Sequence, residues 1–285
     1  MTVPVPGGEI NAWHRPASDE MGTVVLMHGL SGNSRWWSRV IQHLPENVGV
    51  VALDVRGRGA SAQTPPPYDL GTIADDIVRT LDHLALERTI VVGYSMGAWV
   101  AALFGVNHPE RVERMILVDG GVPMPLEPNT DPEELIDAMV GPSLRRLEVE
   151  FESEEAFFDH WKSHPAFEKY WDDTMGDALR HELVPHGDTH TVRANPEAIE
   201  VGAREITIGI EANRAASRLN VPAHLIVVER GTLDQPGGMI PLRVAEDVVA
   251  ANPELTMQYL PGLNHYTLVL GQGARAVAAA ISTPS

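Results

Sequence analysis

The chain has 285 residues, of which 44% are hydrophobic, so it is long enough to bury a large core. Its formal net charge of −18 argues against binding to nucleic acid or to an anionic membrane, because contacts with phosphate need Lys and Arg. The absence of cysteine excludes disulfides and thiolate metal sites, and it fits a cytoplasmic protein.

Short apolar runs recur along the chain and predict buried β-strands. They are continuous rather than alternating in polarity, as in parallel strands that are covered on both faces. The runs lie at residues 24–27, 48–53, 89–92, 115–118, 225–228 and 255–260. Helical patterns lie between them, at residues 35–44, 72–86, 95–106, 241–251 and 271–281. This alternation predicts an α/β fold with a doubly wound, mostly parallel sheet.

Two smaller features complete the predicted core. Thr72 is placed to cap the second helix. Residues around Val3 and residues 10–13 predict a pair of antiparallel edge strands joined by a Gly-Gly turn.

The alternating pattern stops at residues 122–215, which contain amphipathic, acidic segments and no convincing buried strand. We expect a helical cap there, inserted into a core made of residues 1–121 and 216–285. Ligands of open α/β sheets bind at the carboxyl ends of the strands, so a cap at that end would shape a substrate pocket.

Residues 93–97 read Gly-Tyr-Ser-Met-Gly and lie between a predicted strand and a predicted helix. This arrangement predicts a nucleophile elbow, in which Ser95 lies on a turn so tight that only residues without bulky side chains fit two positions away. Ser95 is the candidate nucleophile. An oxyanion would be held by the backbone N–H groups of Met96, at the start of the helix, and of Leu30, in the loop after the first central strand.

A serine nucleophile needs a base, and the base needs an orienting carboxylate. His265 follows the last predicted strand and precedes the last helix, so it is the candidate base. Asp234 is the favoured carboxylate, because it lies between the fifth strand and His265. Glu229, at the end of the fifth strand, and Asp119, at the end of the fourth, are the alternatives.

Together these motifs resemble those of the α/β-hydrolase-fold serine hydrolases, throughout the chain outside the insertion. The matching segments are His28-Gly29, Asp54-x-Arg56-Gly57-x-Gly59-x-Ser61, Gly93-x-Ser95-x-Gly97, Leu117-Val118-Asp119-Gly120 and Gly262-x-Asn264-His265. The resemblance implies a fold of the α/β-hydrolase type, a triad of Ser95, an acid and His265, and a helical cap. The family usually has Gly-x-x-Asp directly at the end of the fifth strand, whereas Glu229 and Arg230 intervene here.

We expect a carboxylesterase-like enzyme that hydrolyses an ester, thioester or lactone of a small molecule through an acyl-enzyme. The mechanism needs no cofactor, and the paired histidines at 160 and 164 and at 186 and 190 do not form a zinc-protease helix, so no metal is expected. Three alternatives on the same fold remain. They are carbon–carbon bond hydrolysis, a cofactor-free lyase or peroxidase activity, and ligand binding with little turnover.

Overall fold

The computed structural model describes residues 1–18, 22–124 and 131–283, and leaves out the side chains of residues 139 and 140. Eight strands form one mixed sheet in the order β1-β2-β4-β3-β5-β6-β9-β10. The strands are β1 (Thr2–Val5), β2 (Gly8–Arg15), β3 (Thr23–Met27), β4 (Gly49–Asp54), β5 (Thr89–Tyr94), β6 (Val112–Val118), β9 (Ala223–Arg230) and β10 (Leu255–Asn264). From β4 to β10 the neighbouring strands are parallel, whereas β1 and β2 are antiparallel at one edge. The predicted doubly wound sheet and its antiparallel edge pair are confirmed.

Helices cover both faces of this sheet. Successive strand residues enter two different cores, as Val91 and Val92 of β5 do, which explains why the runs are continuous in the sequence. One face packs on α2 (Leu70–His83), α3 (Met96–Asn107) and α9 (Leu242–Ala251), and the other packs on α1 (Ser38–His43) and α10 (Ala274–Ser282).

Helix α2 begins two residues earlier than predicted, and its cap is Asp69 rather than Thr72. The Asp69 carboxylate accepts the Thr72 backbone N–H at 2.8 Å and the Thr72 hydroxyl at 2.7 Å. Asp is as good an N-cap as Thr, and the choice between them depends on where the chain turns into the helix.

The parallel register aligns the carboxyl ends of the central strands. Met27 pairs with Gly93, and Gly93 pairs with Leu117, so β3, β5 and β6 end side by side. The loops that begin at residues 28, 95 and 119 therefore meet at one edge of the sheet. This edge carries the candidate site.

The stretch at residues 122–215 is mainly helical, but it also contains a short antiparallel hairpin that the sequence did not predict. Its helices are α4 (Pro132–Leu147), α5 (Glu154–Lys162), α6 (Asp173–Arg180), α7 (Pro196–Ile208) and α8 (Ile210–Ala215), and the hairpin joins β7 (Leu183–His186) to β8 (Thr189–Val192). Residues 125–130 of the expected cap lie outside the described residues. Ala212 and Ala215 of α8 pack in the same core as α3, so the last helix of the stretch lies against the sheet layer.

Candidate active site

Ser95 lies in a strained turn between β5 and α3. Its φ of 53° and ψ of −125° are rare for a residue with a side chain, and such a conformation costs of order 1–3 kcal/mol. A Cβ at Gly93 would lie 2.0 Å from the Gly97 carbonyl oxygen, and a Cβ at Gly97 would lie 2.3 Å from that of Met27. Both glycines are therefore required by the close approach of backbone, as the elbow motif predicts.

The surrounding structure holds this strained turn in place. The Ser95 backbone N–H donates to the Val118 carbonyl at 2.9 Å, which ties the elbow to the end of β6. Ten consecutive residues of α3, beginning at Met96, are buried, so the helix behind the serine is fixed on all sides. Because Tyr94 pairs with Val118, the backbone of Ser95 lies beside the residue that follows Val118.

That residue is Asp119, and it contacts His265. His265 Nδ1 donates to Asp119 Oδ2 at 2.6 Å, and both side chains are buried. Because an ionised carboxylate only accepts, Nδ1 carries the hydrogen, and in the neutral imidazole Nε2 keeps its lone pair. His265 is positioned further by Tyr94, whose ring stacks on the imidazole with the centroids 4.8 Å apart and whose hydroxyl donates to the His265 carbonyl at 3.0 Å.

The prediction that Asp234 orients His265 is wrong in this structure. Asp234 Oδ1 instead accepts from Arg230 Nε at 2.9 Å and from Asn264 Nδ2 at 3.1 Å. Burial raises the pKa of Asp234, but these two hydrogen bonds outweigh it and hold the pKa below its ordinary value. Asp234 thus braces the loop that carries His265. Glu229, the other alternative, accepts the Gly262 backbone N–H at 2.7 Å on the surface.

The loop at residues 28–30 presses against the serine. A Cβ on Gly29 would lie 3.1 Å from Ser95 Cβ, so a larger residue there would crowd Ser95. Among the described residues, neither the Leu30 nor the Met96 backbone N–H has a hydrogen-bond partner. Both predicted oxyanion donors are therefore available to a substrate oxygen, and Met96 begins α3, where the helix dipole favours negative charge.

His28 holds this loop and is not placed as a base. The Val55 backbone N–H donates to His28 Nε2 at 3.1 Å, so Nδ1 carries the hydrogen and donates to the Gly29 carbonyl at 2.7 Å. Burial lowers the pKa of His28 to about 4, which keeps the ring neutral.

Arg58 is the residue of the site to which the sequence analysis assigned no role. It is buried, and among the described residues it has no carboxylate partner. Its Nε donates to the Leu30 carbonyl at 3.0 Å, and its Nη2 contacts Met96 Sδ at 3.4 Å and the Ala198 carbonyl of α7. Burial lowers its pKa to about 9. One side chain therefore connects both predicted oxyanion residues with the cap helix.

Aromatic side chains from the core and the insertion pack around Tyr266, the neighbour of the histidine. The ring centroid of Tyr266, which follows His265, lies 5.8 Å from the ring centroid of Trp36 and 6.2 Å from that of Trp161. Trp161 belongs to α5 and so brings the insertion to the site. Outside the gaps at 19–21, 125–130 and 284–285, no cluster of three or more His, Cys, Asp or Glu side chains could hold a metal ion. In the same part of the chain, no helix is long and apolar enough to cross a membrane.

Comparison with known proteins agrees with this geometry. A Caulobacter sp. (strain K31) protein, RutD, named as a candidate carbamate hydrolase, is 40% identical over 106 residues, which are 37% of this chain and only 39% of that protein. The structure of E-2-(acetamidomethylene)succinate hydrolase superposes with a TM-score of 0.78 at 20% identity and covers 96% of both chains. The thioesterase domain from the curacin biosynthetic pathway superposes with a TM-score of 0.76 at 18% identity, covering 100% of this chain and 98% of that one.

At these identities the two solved structures show a shared fold, and they confirm the expected α/β-hydrolase type of sheet. The family model described as "alpha/beta hydrolase fold" matches residues 22–192, which include the elbow, Asp119 and most of the insertion. That match spans more than half of the chain, and the chain belongs to the alpha/beta hydrolase fold family.

Proposed function

We propose that the chain is a serine hydrolase that cleaves a carboxylic ester, or a related thioester or lactone, of a small molecule. The observation that carries the proposal is the buried 2.6 Å hydrogen bond between His265 Nδ1 and Asp119, beside a strained serine elbow. A histidine with this tautomer is prepared to take a proton on Nε2.

The proposed reaction proceeds in two halves. The Ser95 oxygen attacks the ester carbonyl carbon and gives its proton to His265 Nε2, and the Asp119 carboxylate stabilises the imidazolium that forms. The backbone N–H groups of Leu30 and Met96 hold the negative oxygen of the tetrahedral intermediate. The intermediate collapses, and the alcohol leaves with the proton from His265. Water, deprotonated by the same nitrogen, then attacks the acyl-enzyme and releases the acid.

Several types of bond are candidates for cleavage by this mechanism. RutD is named for carbamates, and the succinate hydrolase is named for an acetamidomethylene compound, so carbamates and amides belong in the tests beside esters. The same dyad and oxyanion donors would serve each of them. Esters and thioesters are favoured because their leaving groups depart more easily than an amine.

Fluorophosphonate labelling tests the nucleophile. The wild-type protein should be labelled once, and hydrolysis of a panel of short esters, thioesters, lactones and carbamates should show which bond it prefers. Ser95→Ala should lose labelling and at least about three orders of magnitude of turnover, because triad residues act as a unit. Near-full activity in a folded Ser95→Ala protein would refute the serine mechanism. Tight binding of an ester without labelling would instead support a ligand-binding protein.

We further propose that the insertion selects the substrate. Its Trp161 ring lies within aromatic contact of Tyr266, next to the catalytic histidine, so the cap forms one side of the site. Trp161→Leu should change the preferred acyl chain length more than it changes the rate of fluorophosphonate labelling. An unchanged chain-length profile would place the cap outside substrate selection.

A further inference from the structure

The side chain of Arg146 is a charge buried beside the candidate active site that the proposed reaction does not use. Arg146 is in the last turn of α4, and only 6% of its side chain is exposed. Its guanidinium lies over the Trp161 ring, 4.7 Å from the centroid, and its Nη2 is 3.4 Å from Ser31 Oγ. The guanidinium thus lies between Trp161 of the cap and Ser31 of the loop after β3.

Ser31 and Trp161 both lie close to groups that we expect to take part in the reaction. Ser31 follows Leu30, so standard backbone dimensions place the guanidinium within roughly 10 Å of the oxyanion donor on Leu30. Trp161 contacts Tyr266, the neighbour of His265. Arg146 therefore lies within reach of the far end of a small substrate whose carbonyl is at Ser95.

The hydrogen-bonding capacity of Arg146 is only partly used. Glu182 Oε2 is 3.3 Å from Arg146 Nη2, and Glu182 Oε1 accepts from Trp36 Nε1 at 3.1 Å. Both described polar contacts of the guanidinium, with Ser31 and Glu182, use Nη2. Its buried Nε has no partner among the described residues. A guanidinium offers five N–H donors, and a buried donor without an acceptor costs about 1–3 kcal/mol.

The open Nε edge has the shape that a carboxylate requires. A carboxylate accepts two parallel N–H bonds from the Nε and Nη2 of an arginine, and the 3.3 Å contact of Arg146 Nη2 with Glu182 Oε2 is not a hydrogen bond. The contact of the guanidinium with the face of the Trp161 ring occupies none of its N–H donors. Lys would not provide the same planar pair of donors.

We propose that Arg146 binds a carboxylate of the substrate, so that the preferred substrates are anionic esters of the half-ester type. The inference rests on the proposed ester hydrolysis for the position of the scissile bond, but the anion site itself does not depend on the serine. The competing explanation is that Arg146 only ties α4 to Ser31 and Glu182, and this would affect stability but not substrate charge preference.

Two series of esters test the inference. One contains mono-p-nitrophenyl esters of straight-chain diacids with four to eight carbons, and the other contains the same compounds with the free carboxyl methylated. Rates are corrected for spontaneous hydrolysis, and the ratio of kcat/KM, anionic over neutral, is measured at each length. The wild type should give a ratio of about 10–100 at its best length, the usual value of a charged hydrogen-bonded pair.

Arg146→Met should reduce this ratio toward 1, and Arg146→Lys should restore only part of it. Arg145→Met is the matched control, because Arg145 is on the same turn of α4 but exposed, and it should keep the wild-type ratio. If Arg146→Met does not fold because Glu182 is left unpaired, the double variant Arg146→Met/Glu182→Gln removes both charges. A wild-type ratio near 1 at every length, or a high ratio that survives in Arg146→Met or in the double variant, would overturn the inference.

Binding of the free diacids to the Ser95→Ala protein, measured by calorimetry, separates the two proposals. Binding that weakens 10- to 100-fold on adding Arg146→Met supports the anion site even if the wild type is never labelled by fluorophosphonate. Labelling and ester turnover without charge preference, together with no diacid binding, would leave the hydrolase proposal standing and refute the anion site.

Discussion

Replacing Asp119 by Asn should cripple the enzyme while leaving its fold intact. The amide has nearly the same shape, and Asn tolerates the positive φ of 47° at this position better than most residues. The change removes the charge that faces the imidazolium. If the Asn amide nitrogen faces Nδ1, it also favours the tautomer in which Nε2 carries the hydrogen and cannot act as a base.

The size of the effect follows from the burial of the pair. Asp119 is fully buried and its Oδ2 is 2.6 Å from His265 Nδ1, which places the two charge centres about 4 Å apart. Two unit charges at that separation, with an effective dielectric constant of about 20, attract by about 4 kcal/mol. Since about 1.4 kcal/mol corresponds to a factor of ten in rate, kcat should fall about 10³-fold.

Asp234→Asn is a matched control for this experiment. Asp234 is also a buried aspartate with a positive φ, of 59°, and it differs from Asp119 in bonding to Arg230 and Asn264 rather than to His265. Its kcat for a p-nitrophenyl ester should stay within about tenfold of the wild type, well short of the loss that removal of the triad acid causes. Thermal unfolding should be measured for both variants to check that they are folded. An active Asp119→Asn beside an inactive Asp234→Asn would refute the assignment of the acid.

Two further predictions concern the loop beside the serine. Arg58→Met should lower kcat about tenfold and slow fluorophosphonate labelling by a similar factor, because Leu30 loses the 3.0 Å hydrogen bond that holds its peptide. Arg58→Lys should recover part of the loss. Unchanged labelling in Arg58→Met would contradict the role of Arg58 in holding Leu30. Stability should depend on pH through His28, whose pKa is about 4 when folded and near 6.5 when unfolded. Below pH 6.5 the unfolded chain binds the proton and the folded chain does not, so this group should remove about 3 kcal/mol of unfolding free energy between pH 6.5 and 4. Urea unfolding of the wild type and of His28→Gln across that range measures the difference, and equal pH slopes would contradict it.

The sequence predicted the sheet and the elbow because both depend on local patterns. The apolar runs mark strands that are buried on both faces, and Gly93 and Gly97 lie two residues on either side of Ser95, although the contact that requires Gly97 is with Met27 of β3. The acid depends instead on which loop reaches His265 across the sheet. Asp119 and Asp234 both follow a strand, and the pairing of β6 with β9 and of β9 with β10, together with the turn at residue 119, brings Asp119 to the imidazole.

The structure of the cap could also be predicted only in part from local sequence patterns. Its helices could be predicted from amphipathic patterns, but the hairpin of β7 and β8 is too short and too exposed to be seen as apolar runs. Arg146 and Glu182 carried no signal either, since a charged residue on an amphipathic segment is expected to face solvent. Their burial results from packing between the cap and the loop at Ser31, which no local pattern records.

Because Ser95 lies at the start of helix α3, we expect the activity of this protein to be proportional to the fraction of molecules that are folded. The proposed nucleophile, Ser95, is attached to a helix whose first ten residues are buried, and such elements exchange their amide hydrogens only when the whole domain opens. The elbow has therefore no low-energy way to distort on its own. On warming, the catalytic signal and the tertiary structure should be lost in one transition, and amide exchange at α3 should be among the slowest in the chain.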